Sequence, residues 1–285
     1  MGSGVNMLCF SASYALALIL EFSGLWNLLR VRRIVVLGIA LAGLVAHTWF
    51  LGQRVNLAPQ APLTSHQDWF LLSAWVLALV YLAAKYYYPK SSMGLFVLPA
   101  VLALVGGAQF ASTTTLATFQ APRLWGRIHG IFLMLGTVAV LIGFLAGLMY
   151  LIQSYRLKHK LATTKGLRLP SLEWLERMNS RALIGATVLV GGGFFTGVIS
   201  RLAHSGEKNF IPWSDPVVLS LATMSAWLVI AEVFRLVYPA ARQGRKVAYL
   251  TVAALVFLLF VLAMMLFQDS LHSTDLPEPT VEVES

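Results

Sequence analysis

Residues 247–268, VAYLTVAALVFLLFVLAMMLFQ, contain no charged side chain, no proline and no glycine. A helix needs about 20 mostly apolar residues to cross the hydrocarbon core of a bilayer, so this run is long enough to span. It is not a barrel strand, because barrel strands alternate apolar and polar residues over about 10 positions. Lipid admits only helices and closed barrels, since every backbone polar group must find its partner inside the chain. Working outward, seven similar stretches occur near 8–28, 34–52, 69–88, 94–112, 127–153, 183–202 and 216–238. The expected fold is therefore all-α, a polytopic membrane helix bundle with about eight transmembrane helices. A single membrane domain is expected over residues 1–273. The tail 274–285 is acidic and contains proline, and is expected to be disordered.

Composition agrees with that reading. The 285 residues are 58% hydrophobic and 12% charged, with a mean hydropathy of +0.74, against about 25% charged residues in a soluble domain. Cys9 is the only cysteine, which excludes an internal disulfide, a CxxCH attachment motif and a thiolate metal cluster. The first apolar run lacks a basic segment before it, so it reads as a retained helix.

Charge sets the orientation. Sixteen of the 21 lysines and arginines fall in alternate loops: Arg30, Arg32 and Arg33; Lys85 and Lys90; Arg156, Lys158, Lys160, Lys165, Arg168, Arg177 and Arg181; Arg235, Arg242, Arg245 and Lys246. Arg54, Arg123, Arg127, Arg201 and Lys208 remain for the other side. The positive-inside rule puts the first group in the cytoplasm and both termini outside. The net charge of +9 then faces anionic membrane lipid, and no nucleic-acid partner is needed to explain it.

Most loops are short. In the longest, Ser171 follows Pro170 and precedes Leu172, Trp174, Leu175 and Met178 at helical spacing. Ser171 suits an N-cap, and a short helix lying on the inner interface is expected there. Gly143 with Gly147, and Gly193 with Gly197, stand four apart, a spacing that lets helix backbones approach closely in lipid. No internal repeat is evident in the sequence.

The polar residues carry any chemistry. Glu21, His47 and Glu232 lie within apolar runs, where a titratable group ordinarily faces the bundle interior or a watery cavity. The glutamates suit structural pairing, and His47 suits either a carbonyl partner or a metal. His129 opens the fifth run and His272 follows the eighth. In the expected topology both are at the outer face, although 143 positions separate them. Two neutral imidazoles on facing helices are what axial ligation of haem iron requires; the same positions also suit ordinary interfacial histidines.

Several segments add to this. Residues 169–179, LPSLEWLERMN, running into the glycines 191–197, resemble the loop and following helix of the CcsA/HemX-type cytochrome c assembly family. Arg127-Ile128-His129, leading through Gly147 to Gln153 and a basic loop, is similar as well. So are Trp213-Ser214-Asp215-Pro216, beside that family's tryptophan-rich outer loop, and Leu271-His272-Ser273 after the last helix. The likeness covers 127–273, while the first four helices share only the general plan.

The resemblance implies a haem-handling protein of the bacterial inner membrane, acting in cytochrome c biogenesis and presenting haem b at the outer face. His129 and His272 would then be the axial ligands, with Trp213, Asp215, Pro216, Arg127 and His47 as further cofactor-binding positions. No catalytic residue is implied; the chain would be at most a subunit of a haem lyase system. The implied partners are other cytochrome c maturation proteins or apocytochrome c. The departures from the family pattern are concrete: Ser214 separates Trp213 from Asp215, and Val217-Val218-Leu219-Ser220 replaces a polar continuation. These fit equally a HemX-like membrane regulator of haem biosynthesis without synthase activity.

Overall fold

The computed structural model describes residues 6–24, 30–57, 65–113, 123–161, 166–203, 213–238 and 244–267. They form eight helices: α1 (Met7–Ser23), α2 (Arg30–Leu57), α3 (His66–Tyr87), α4 (Gly94–Ala108), α5 (Arg123–Lys158), α6 (Leu172–Ala203), α7 (Pro216–Val237) and α8 (Arg245–Phe267). The all-α expectation holds. Six of the helices are long and apolar enough to cross a membrane, while α1 and α4 are apolar but have only 17 and 15 residues. At 1.5 Å per residue they measure about 26 and 22 Å, below the ~30 Å of an average hydrocarbon core. Both were expected to be longer. Gly24 closes α1, and α4 gives way to a turn at Gln109 just after Gly106-Gly107, where glycine weakens helical propagation.

The expected separate interfacial helix near 171–178 does not form. Residues 172–203 make one continuous helix of 32 residues. Nothing between Leu172 and Ile184 is a helix breaker, and Asn179, at its junction with the apolar part, is buried and bonded. With its amide nitrogen facing the acceptors, it donates to Thr251 Oγ1 (2.8 Å) and the Gly143 carbonyl (2.9 Å), and accepts from the Ala248 N–H (3.2 Å). Ser171 does cap the helix, its hydroxyl accepting from the Trp174 N–H at 3.3 Å.

The helices close into two rings of four. In the first, α1 and α3 each pack on α2 and α4; in the second, α5 and α7 each pack on α6 and α8. Helix α5 also lies against α3 and α4, joining the rings. Neighbours run antiparallel: Arg54 near the end of α2 pairs with Asp68 at the start of α3 (2.6 Å), and Arg245 at the start of α8 donates to Ser154 near the end of α5 (2.9 Å). The bundle thus has a basic end, holding Lys85, Lys90, Arg156, Arg168 and Arg245, and a far end. Exposed aromatics differ between them, with Tyr86, Tyr87, Tyr155, Tyr238 and Tyr249 toward the basic end and Trp49, Trp125 and Trp213 toward the far one. Tyrosine and tryptophan favour headgroup depth, so exposed aromatics at both ends suit a bundle whose long helices can cross a membrane.

Lipid tails are as apolar as leucine, so close backbone packing has to hold such a bundle together. The paired glycines do this. A β-carbon at Gly147 would lie 2.7 Å from Thr251 Oγ1 and 3.2 Å from the Ala248 carbonyl, and one at Gly193 would lie 2.5 Å from Leu133 Cδ2. Helix α5 is therefore pressed against α8 along one face and α6 along another.

Candidate functional site

His129 sits in the second turn of α5, half-buried against α6. The two glycines at 193 and 197 remove the side chains that would otherwise stand between the helices: a β-carbon at Gly197 would lie 2.8 Å from the His129 ring. With the α6 backbone bared, His129 Nδ1 reaches the Gly193 carbonyl at 2.7 Å. A carbonyl only accepts, so Nδ1 carries the proton. In the neutral ring the lone pair is then on Nε2, the tautomer a metal-ligating histidine adopts when its other nitrogen donates to a backbone oxygen. The Thr196 hydroxyl donates to the same carbonyl at 2.9 Å.

Gly193, Gly197 and Arg201 recur every four residues, so they share one face of α6. The Arg201 guanidinium lies over the Trp213 ring, 3.8 Å from its centre, a cation–π geometry. Trp213 is 49% exposed. The far end of the second ring therefore brings together an imidazole, a guanidinium and an indole from three successive elements.

Other expected site residues have different places. Asp215 is buried as the N-cap of α7, accepting from the Val217 N–H at 2.9 Å and the Val218 N–H at 3.4 Å, and Pro216 takes the first helical position. Proline suits that position because its missing N–H would have no partner there. The Asp215-Pro216 pair thus starts a helix, and the chain after Trp213 has no loop left before α7. Arg127 is exposed, and two residues from His129 is about 200° around the helix, so it leaves on another face. His272 and the acidic tail lie outside the described residues.

His47 belongs to the first ring. Its side chain is fully buried between α1 and α2, stacked on Phe10 with ring centres 4.1 Å apart, with Nδ1 3.4 Å from the Tyr14 hydroxyl and Nε2 without a hydrogen-bond partner among the described residues. The structure does not bring it to the face that carries His129. Replacing His47 by leucine together with Tyr14 by phenylalanine is expected to leave stability within about 1 kcal/mol of wild type, because both polar atoms of a weak bond leave at once. His47→Ala is expected to cost about 2–4 kcal/mol through the lost stack and the cavity. Thermal melting in detergent separates the two; a double variant that melts as low as His47→Ala contradicts this account.

The glutamates are paired. Glu21 meets Lys85 Nζ at 2.6 Å and accepts from the Tyr81 hydroxyl at 3.0 Å, while Arg235 Nε donates to Glu232 Oε2 at 3.0 Å. One turn farther from the basic end than Glu21, Tyr81 and Gly94, helices α1, α3 and α4 carry Ala17, Leu77 and Leu98, all fully buried. Along α1, α3 and α4 these apolar side chains stand between the Glu21 cluster and the level of Tyr14. By sequence Lys85 reads as a loop cation, and no local signal connects it to Glu21, 64 residues away; only the fold brings the two together.

Among the described residues no three histidine, cysteine, aspartate or glutamate side chains converge as metal ligands. That geometry does not bear on a porphyrin iron, which asks the protein for one or two axial ligands. Compared with family models, with curated proteins and with solved structures, the chain matches none.

Proposed function

We propose that this chain is a haem-binding integral membrane protein of the CcsA/HemX type, acting in cytochrome c biogenesis. The observation that supports the reading best is the His129 Nδ1–H bond to the Gly193 carbonyl, which turns the ring's lone pair to Nε2 and fixes its orientation. In this reading the bundle crosses the bacterial inner membrane eight times. The far end faces outward, and the short helices α1 and α4 are met by local thinning of the bilayer. Both termini are then outside. His272 follows α8 by five residues, and α8 packs on α5, so the chain can return it to the end that carries His129.

In this reading His129 and His272 would hold haem b, and Arg201, stacked on Trp213, would stand on the same face of α6 as the Gly193 that orients His129. Haem bound there would be the prosthetic group for an apocytochrome c, and would itself supply the vinyl groups for attachment. This chain's residues bind and orient; membrane lipid surrounds them, and a maturation partner holds the client.

One structural feature favours the alternative, a HemX-like regulator of haem biosynthesis without synthase activity. Asp215 caps α7 immediately, which leaves Trp213 with no extended loop after it. Purified protein titrated with haemin is expected to develop a Soret band that is lost when His129 and His272 are both replaced by alanine. No band, or a band indifferent to both substitutions, overturns haem binding. Deletion of the protein then separates the two roles: loss of holocytochrome c supports assembly, and altered abundance of an early haem-synthesis enzyme with normal cytochrome c supports regulation.

A further inference from the structure

The segment between α5 and α6 crosses from the second ring to the first at the basic end. The Arg168 carbonyl accepts from the Ser92 N–H at 2.8 Å and the Ser91 hydroxyl at 3.4 Å, and the Arg168 N–H donates to Ser92 Oγ at 3.2 Å. Arg156 of α5 holds the neighbouring Leu167 carbonyl at 2.5 Å, Pro170 is buried, and Trp174 packs edge-on against Tyr88 at 5.1 Å. The partner of this segment is the turn between α3 and α4, and that turn is itself anchored. Lys85 Nζ, paired with Glu21, donates to the Ser91 carbonyl at 3.1 Å.

These contacts form one unbroken chain: Glu21 of α1, Lys85 of α3, the 91–92 turn, Arg168, then Arg156 of α5. We propose that residues 166–171 are a releasable strap joining the two helix rings, held closed through the buried Glu21–Lys85 pair. Lys85 is the only member bonded both to the buried carboxylate and to the turn, so losing its ammonium frees the turn that presents Ser91 and Ser92. The strap's own bonds lie among half-buried groups at the bundle edge, where local opening costs least. Its opening reaches the start of α6 through Trp174 and Leu175, the latter fully buried. The strap thus couples the first ring to the start of α6. This coupling does not depend on any ligand at His129.

Hydrogen–deuterium exchange of the full-length protein in detergent tests it. In Lys85→Met, exchange at 88–93 and at 166–171 is expected to rise together by about tenfold, the scale of one net hydrogen bond. Peptides from 143–151 open only with the whole bundle and report its global stability, so the rise at 88–93 and 166–171 is expected at labelling times before those core peptides exchange. A rise at 88–93 with 166–171 unchanged overturns the coupling, as does no rise in either segment. Should Lys85→Met not fold, Glu21→Gln decides by the same measurement: faster exchange in both segments supports the strap, and wild-type rates in 166–171 overturn it.

Discussion

Lys85→Met is expected to lower stability by about 3–5 kcal/mol, the cost of leaving one member of a buried ion pair without its partner. The side chains of Lys85 and Glu21 are 8% and 4% exposed, so solvent does little to screen the abandoned carboxylate. Tyr81 still donates one hydrogen bond to it, which offsets part of the loss but supplies no charge. The ion pair as a whole is worth far less than that, because bringing both charges out of water offsets most of their attraction. Replacing both Glu21 and Lys85 by methionine is therefore expected to come within about 1–2 kcal/mol of wild type. Melting temperatures in one detergent check both halves. A single variant as stable as wild type, or a double variant as damaged as the single, contradicts the buried-pair account.

Gly147→Leu is expected to cost about 3 kcal/mol or more, at the upper end of overpacking penalties. A β-carbon there meets Thr251 Oγ1 at 2.7 Å, the Ala248 carbonyl at 3.2 Å and Ala248 Cα at 3.4 Å. Two of the three are backbone atoms, which cannot rotate aside, so α5 and α8 must separate. Separation also pulls Thr251 and Ala248 away from Asn179, whose amide bonds both, and that leaves a buried polar group unsatisfied. Gly185→Ala is the control: a β-carbon there meets nothing within 4 Å, and stability is expected to stay within about 0.5 kcal/mol. If Gly147→Leu melts no lower than Gly185→Ala, the close α5–α8 contact is not what holds the second ring.

The helices were legible because a bilayer imposes a length on apolar runs. Paired glycines in α5 and α6 correctly marked close-packed faces, and Ser171 marked a helix start. What the sequence did not show is set by distance along the chain. The run at 172–183 is amphipathic and reads as a separate surface helix; only the bonds of Asn179 to Thr251, Gly143 and Ala248, on two other helices, explain why it continues unbroken into α6. Lys85 reads as a loop cation until α1 brings Glu21 to it. His129 was visible as a histidine at a helix end, but its bond to Gly193 depends on how α5 and α6 are set against each other. Asp215-Pro216 looked like part of a ligand loop and proves to be a helix cap, a role that any Asp-Pro before an apolar run allows. Glu232 and Arg235, three residues apart on one helix, are a pair that spacing alone makes plain.

Electron paramagnetic resonance of the haem-loaded ferric protein puts the proposed ligand pair to its most direct test. Two imidazoles on one iron give a low-spin signal. The account predicts that His129→Ala and His272→Ala, made separately, each convert it to high spin. A low-spin spectrum that survives both substitutions would contradict the account, since the iron would then be held by other residues.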